Sequence, residues 1–189
     1  MFSPGEWTFF KGRLPASVGL MTVNEAGVTA ATTPQIPVRL DFDAQAAGFA
    51  RAMAHLDRAA TKELDRVDFD AKLRELVRIR ASQLNGCAYC IDMHTKDARA
   101  IGETEQRLYA LPAWAETPYF TERERAALAF TESVTLVAGE HVPTRDYDEV
   151  AAVFSPDEVA ALVSLIVAIN AWNAISVATR AWEPGTYQP

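Results

Sequence analysis

Cysteine is scarce in this chain. Its 189 residues carry two, Cys87 and Cys90, too few and too close together for a disulfide framework. Basic runs are missing too: 18 Lys and Arg stand against 25 Asp and Glu, a formal net charge of −7, with an isoelectric point near 5.0. Without a cationic cluster, neither binding to a nucleic-acid backbone nor electrostatic docking on an anionic membrane is expected. Low-complexity composition is absent as well. Hydrophobic residues at 49% and charged residues at 23% are ordinary globular values, consistent with one domain and a sizeable core. The opening residues, Met1 to Glu6, contain no basic stretch followed by an apolar one, so no secretory signal is read there. Together with a dithiol in an otherwise cysteine-free chain, this leads us to expect a cytoplasmic protein.

Charge is missing from one long stretch, residues 159–179, which meets the length criterion for a membrane-spanning helix. It is Ala-rich, however, holds Ser164, Asn170, Asn173 and Ser176, and is preceded by Asp157 and Glu158 rather than by cations. A central core helix, or one buried between subunits, is the expected reading.

Residues 1–39 differ from the rest of the chain. Four glycines and four prolines break any helical period there, so an extended, irregular arm is expected. A short strand is conceivable over 27–33, and the aromatics Phe2, Trp7, Phe9 and Phe10 would need cover. Residues 40–189 read as helix after helix. Helices are expected at about 43–60, with Ala46, Phe49, Ala50, Met53 and Leu56 on one face, and at about 70–84, ended by Asn85-Gly86. Others are expected at about 88–101, 104–111 and 144–153. Thr121 to Glu124 and Ser155 to Glu158 are capping-box sequences that open two more, the second with Pro156 at the first helical position. The fold class is all-α.

The chemistry concentrates in Glu75, Cys87, Cys90 and His94. Helical spacing puts Cys87, Cys90 and His94 on one apolar face with Ala98 and Ile101. Both cysteines fall at a helix start, where unpaired N–H groups and the positive end of the helix dipole favour a thiolate. His94 is four residues after Cys90 and can lie over its sulfur, as proton acceptor or as imidazolium partner. Glu75, on the preceding helix, is placed to orient His94 or relay a proton. Such a pair supports peroxide reduction without metal or flavin: one thiolate takes an oxygen, the other cysteine condenses with the sulfenic acid, and an external dithiol resets the disulfide.

Which sulfur attacks stays open at this level. His94 favours Cys90, while the first cysteine of a Cys-x-x-Cys pair is usually the more exposed. Other readings also remain: two inert core cysteines, a zinc site from Cys87, Cys90, His94 and Glu75, or a Glu75 that merely pairs with Arg74 or Arg78 on a solvated face. Asn170 and Asn173, if buried, need hydrogen-bond partners, for which a subunit interface is the expected place and the lining of the thiol pocket the alternative. Trp172 and Trp182 are expected in the core or an interface.

The string Glu75…Gly86-Cys87-Ala88-Tyr89-Cys90-Ile91-Asp92-Met93-His94 resembles the carboxymuconolactone decarboxylase-like superfamily, and within it the AhpD-like alkylhydroperoxidases. The resemblance covers about residues 40–182, including Asn170-Ala171-Trp172-Asn173. It implies an AhpD-like helical bundle assembled as trimers or hexamers, with a hydroperoxide substrate and a dithiol or protein-thiol reductant. Cys87 and Cys90 would be the redox pair, and Glu75 and His94 would assist proton transfer. One departure stands out: the best-known family members place a second histidine immediately before the second cysteine, where this chain has Tyr89. Tyrosine, with a pKa near 10, cannot act as a base at neutral pH. The superfamily's decarboxylases do not use this cysteine pair, so its presence argues against lactone decarboxylation.

Overall fold

The polar and apolar residues of 40–189 sort into helices joined by short turns. The computed structural model describes residues 36–189. The arm expected over residues 1–39 lies outside the described residues except for its last four positions. The strand considered at 27–33 and the aromatics from Phe2 to Phe10 lie outside them altogether. Among the described residues the regular structure is helical: α1 Phe42–Gln45, α2 Ala47–Arg66, α3 Ala71–Asn85, α4 Ala88–Ala100, α5 Glu105–Ala110, a 3₁₀ turn Leu111–Glu116, α6 Glu122–Thr135, α7 Val137–Glu140, α8 Thr144–Ala151 and α9 Pro156–Thr179.

Helix starts obey the capping chemistry. Asp70 caps α3 by accepting from the Leu73 amide at 2.7 Å. Thr121 and Ser155 each form a full capping box, with Glu124 and Glu158, so two otherwise unpaired donors are satisfied at each helix start.

The core is built on α3 and α9. Helix α3 is buried on several sides through Leu73, Leu76, Val77, Ile79 and Ala81, and α9 buries Leu162, Leu165, Ile166, Ala168 and Ile169. Helices α2, α6 and α8 close around these two, with Leu64, Leu128, Phe130 and Val150 completing the main cluster. Helix α9 is long and apolar enough to cross a membrane by length and composition, and half of its most apolar window is buried inside the protein, as a core helix requires.

The expected face of α2 needs correction. Met53 is buried, but Phe49 and Leu56 are 58% and 41% exposed, and the buried stripe continues instead through Ala60 and Leu64. Both stripes satisfy a helical period. The partner helix selects the one that leans on α9.

Candidate active site

The site begins at a turn that two helices share. Gly86 takes φ 67°, a conformation open to glycine at little cost. Its amide donates to the Gln83 carbonyl at 3.3 Å, and the Cys87 amide to the Ser82 carbonyl at 2.9 Å, the paired bonds of a Schellman stop. Cys87 is at once the residue that closes α3 and the N-cap of α4, where its sulfur accepts the Cys90 amide at 3.4 Å. Cys87 and Cys90 are joined as a disulfide, with their Cα atoms 5.4 Å apart. They are 1% and 2% exposed and pack with Ala81, Ile169 and Tyr89. Ile101, expected on the same face, is instead the exposed residue that ends α4.

His94 and Glu75 are buried together. His94 Nδ1 lies 2.9 Å from Glu75 Oε2, and Arg78 pairs with the other carboxylate oxygen. Glu75 is therefore not on a solvated face, and Arg74 is engaged elsewhere, with Asp65 at 2.6 Å. Burial pushes the Glu75 carboxyl up, but the hydrogen bond from His94 and the charge of Arg78 outweigh it and hold the group below its ordinary 4.5. An ionised carboxylate only accepts, so His94 donates from Nδ1 and its Nε2 is left as the basic nitrogen. Glu75, His94 and Asp97 also bring ligand atoms within 4.8 Å of one another. Each is already partnered, Asp97 by the Tyr187 hydroxyl at 2.7 Å. The zinc set expected as an alternative would need Cys87 and Cys90, which are bonded to each other.

Behind the turn runs a polar chain. Asn85 donates to Asn170 at 2.6 Å and to Asn173 at 3.0 Å, Asn173 donates to Ser82 at 3.0 Å, and Asn170 donates to Thr135 at 3.1 Å. The two asparagines of α9 thus find partners within the chain and tie α9 to the end of α3, next to Cys87.

In front of the disulfide lies a cavity of about 560 Å³, within the range of small-molecule sites. Cys90, His94, Arg78, Tyr89, Met93 and Trp172 line it, and Cys87 does not. Sequence reasoning missed its outer wall, which comes from the segment after α9. There Trp182 donates to Asp43 at 2.9 Å, the Gly185 amide to Asp92 at 2.9 Å, and Lys96 to the Tyr187 carbonyl at 3.0 Å. Trp182 packs against Trp172 and Tyr89, with ring centroids 5.6 and 5.8 Å away. Both tryptophans are therefore cavity walls. The only sequence signal for this wall was the concentration of aromatics around a Pro-Gly turn at 184–185. Burial and the nearby Asp92 and Asp43 push the Tyr89 hydroxyl above its ordinary 10.0. The hydrogen bond to Asp97, with burial, pushes Tyr187 up to about 12. Neither phenol is a base near neutral pH.

The profile of the carboxymuconolactone decarboxylase family matches residues 47–133. The uncharacterized protein YdfG of Bacillus subtilis (strain 168) is 50% identical over 105 residues, 56% of this chain and 71% of that one. A crystal structure from Agrobacterium tumefaciens, of a protein of unknown function considered a candidate antioxidant defence protein AhpD, superimposes with TM-score 0.73 at 32% identity. It covers 78% of this chain and 99% of that one. The debrominase Bmp8 shares the fold, with TM-score 0.63 at 19% identity over 75% of this chain and 74% of its own. The chain belongs to the carboxymuconolactone decarboxylase-like superfamily and has the AhpD-like fold.

Proposed function

We propose that this protein is a thiol-dependent peroxidase that reduces organic hydroperoxides through the Cys87–Cys90 pair. The observation that carries the reading is the position of Cys90. It is the cysteine of the pair that reaches the cavity, beside a histidine whose Nδ1 is held by a buried carboxylate. In the reduced enzyme, His94 Nε2 takes the Cys90 proton. The thiolate attacks the terminal oxygen of the hydroperoxide, and the O–O bond breaks. Cys90 becomes a sulfenic acid, and the departing alkoxide takes the proton from His94 and leaves as the alcohol. Cys87 then attacks the Cys90 sulfur and expels water, which forms the disulfide. The backbone N–H that caps Cys87 stabilises its thiolate for this step.

Resetting the pair requires an external dithiol. It attacks Cys90 from the cavity, Cys87 departs as the capped thiolate, and the second external sulfur releases the enzyme. The burial of both cysteines supports a small-molecule substrate over general exchange with protein disulfides, which need an exposed sulfur. Hydroperoxide consumption, monitored with a dithiol reductant in excess, tests the reading. Many turnovers per subunit are expected for the wild type and none for Cys90→Ser. Reduction of protein disulfides with no peroxide turnover would assign the protein to thiol–disulfide exchange instead. Consumption of a single equivalent under every reductant would make the dithiol a sensor.

A further inference from the structure

The cavity in front of Cys90 has walls of distinct character. One side is aromatic: Trp182 packs against both Tyr89 and Trp172. Among its lining residues the acids are Asp43, Asp57 and Asp97, and the matching cation is Arg78, already committed to Glu75. Asp97 is bonded to the Tyr187 hydroxyl and Asp43 to the indole N–H of Trp182. Both donors are neutral, so neither bond brings a compensating positive charge. The lining of this site therefore combines an aromatic wall with carboxylates that no lining cation is free to match.

From this we infer that the substrate is an aryl-bearing hydroperoxide without negative charge, and that Asp43 and Asp57 exclude carboxylates such as free fatty-acid hydroperoxides. The inference rests on the peroxidase reading for the peroxide group and on the cavity for the rest. An aryl ring fills the space between Trp172, Trp182 and Tyr89 in edge-to-face or offset contact. Tyr89 packs against the cluster that holds Cys90, and Cys90 and His94 line the same cavity, so the peroxide group of such a ligand faces the sulfur. An anionic ligand in the same place gives up water to face two uncompensated carboxylates, a repulsion that a partly enclosed site screens poorly. The reaction balances: the hydroperoxide yields its alcohol and water, and the dithiol supplies both electrons and both protons as it closes to its own disulfide.

A matched pair of ligands provides the test. Cumyl alcohol and its ring-carboxylated analogue differ by one charge, and their binding is read through the intrinsic tryptophan fluorescence of the full chain. The wild type is expected to bind the neutral alcohol at least about tenfold more tightly, and Asp57→Asn to narrow that ratio several-fold. Turnover of the two corresponding hydroperoxides is measured on the same samples and should keep the same order. Equal affinities in the wild type, or a ratio unmoved by Asp57→Asn, overturn the inference even if both peroxides are consumed. Selective binding without any turnover instead defeats the peroxidase reading, and the hydroperoxide with it.

Discussion

His94 Nδ1 lies 2.9 Å from a carboxylate oxygen of Glu75, a residue nineteen positions earlier on the preceding helix, and both are buried. The bond fixes the orientation and tautomer of the imidazole. Glu75→Gln keeps the shape but offers an amide that can present either a donor or an acceptor to Nδ1. The expected result is a loss of peroxidase rate on the order of 10²-fold, with a changed pH–rate profile. A stopped-flow peroxide assay across pH checks it. A purely structural Glu75 would lower stability and leave the profile of the remaining activity unchanged.

The same carboxylate makes a prediction about acid stability. Its folded-state pKa lies below the ordinary 4.5, so its contribution is fully present above that value and is lost as the pH falls through the lower, folded-state value. Urea midpoints of wild type and Glu75→Gln, compared from neutral pH down to about pH 3, should therefore converge on the acid side. A difference that stays constant below 4.5 would show that Glu75 is not held ionised.

Much of this architecture is legible in the sequence, for local reasons. The Asn85-Gly86 stop, the two capping boxes and the grouping of Cys87, Cys90 and His94 depend on successive residues no more than four positions apart, so spacing alone places them. The burial of Glu75 is not legible, because α3 is enclosed on several sides and a salt-bridge spacing to Arg78 reads the same on a buried helix as on a solvated one. The face of α2 is misread because Phe49 and Leu56 keep the helical period as well as Ala60 and Leu64 do, and only packing on α9 distinguishes them. The outer cavity wall escapes for a different reason. Trp182 meets Asp43 across 139 positions, and no periodicity announces a contact made by an irregular segment.

The two cysteines should fail differently when replaced. Cys90 faces the cavity and Cys87 lies behind it. Cys90→Ser is expected to consume no peroxide. Cys87→Ser should consume one equivalent and accumulate sulfenic acid, which a dimedone-type probe traps. Trapping on Cys87 in the Cys90→Ser variant would reverse the assignment.

At Gly86, with φ 67° and nothing within 4 Å of where a Cβ would stand, the cost of alanine is conformational alone. Gly86→Ala should destabilise by about 1–2 kcal/mol, read from denaturant midpoints. A neutral result would mean that the turn relaxes without its left-handed residue.

Asn173 is fully buried and serves as acceptor for Asn85 and donor to Ser82. Asn173→Leu leaves those two groups short of a partner and should cost about 1–3 kcal/mol. Because the same chain of bonds supports the turn beneath Cys87, the rate of disulfide formation should fall as well. Thermal melts and thiol-loss kinetics on one preparation measure both.

In the proposed reaction, peroxide oxygen passes to Cys90 and is resolved by Cys87 within one subunit. Treating the fully reduced protein with a single equivalent of an alkyl hydroperoxide and recording the intact mass tests this directly. The expected masses show a loss of two hydrogens in the wild type, a gain of one oxygen in Cys87→Ser and no change in Cys90→Ser. A wild-type mass that stays reduced, with both thiols still titratable while the peroxide survives, would contradict that reaction.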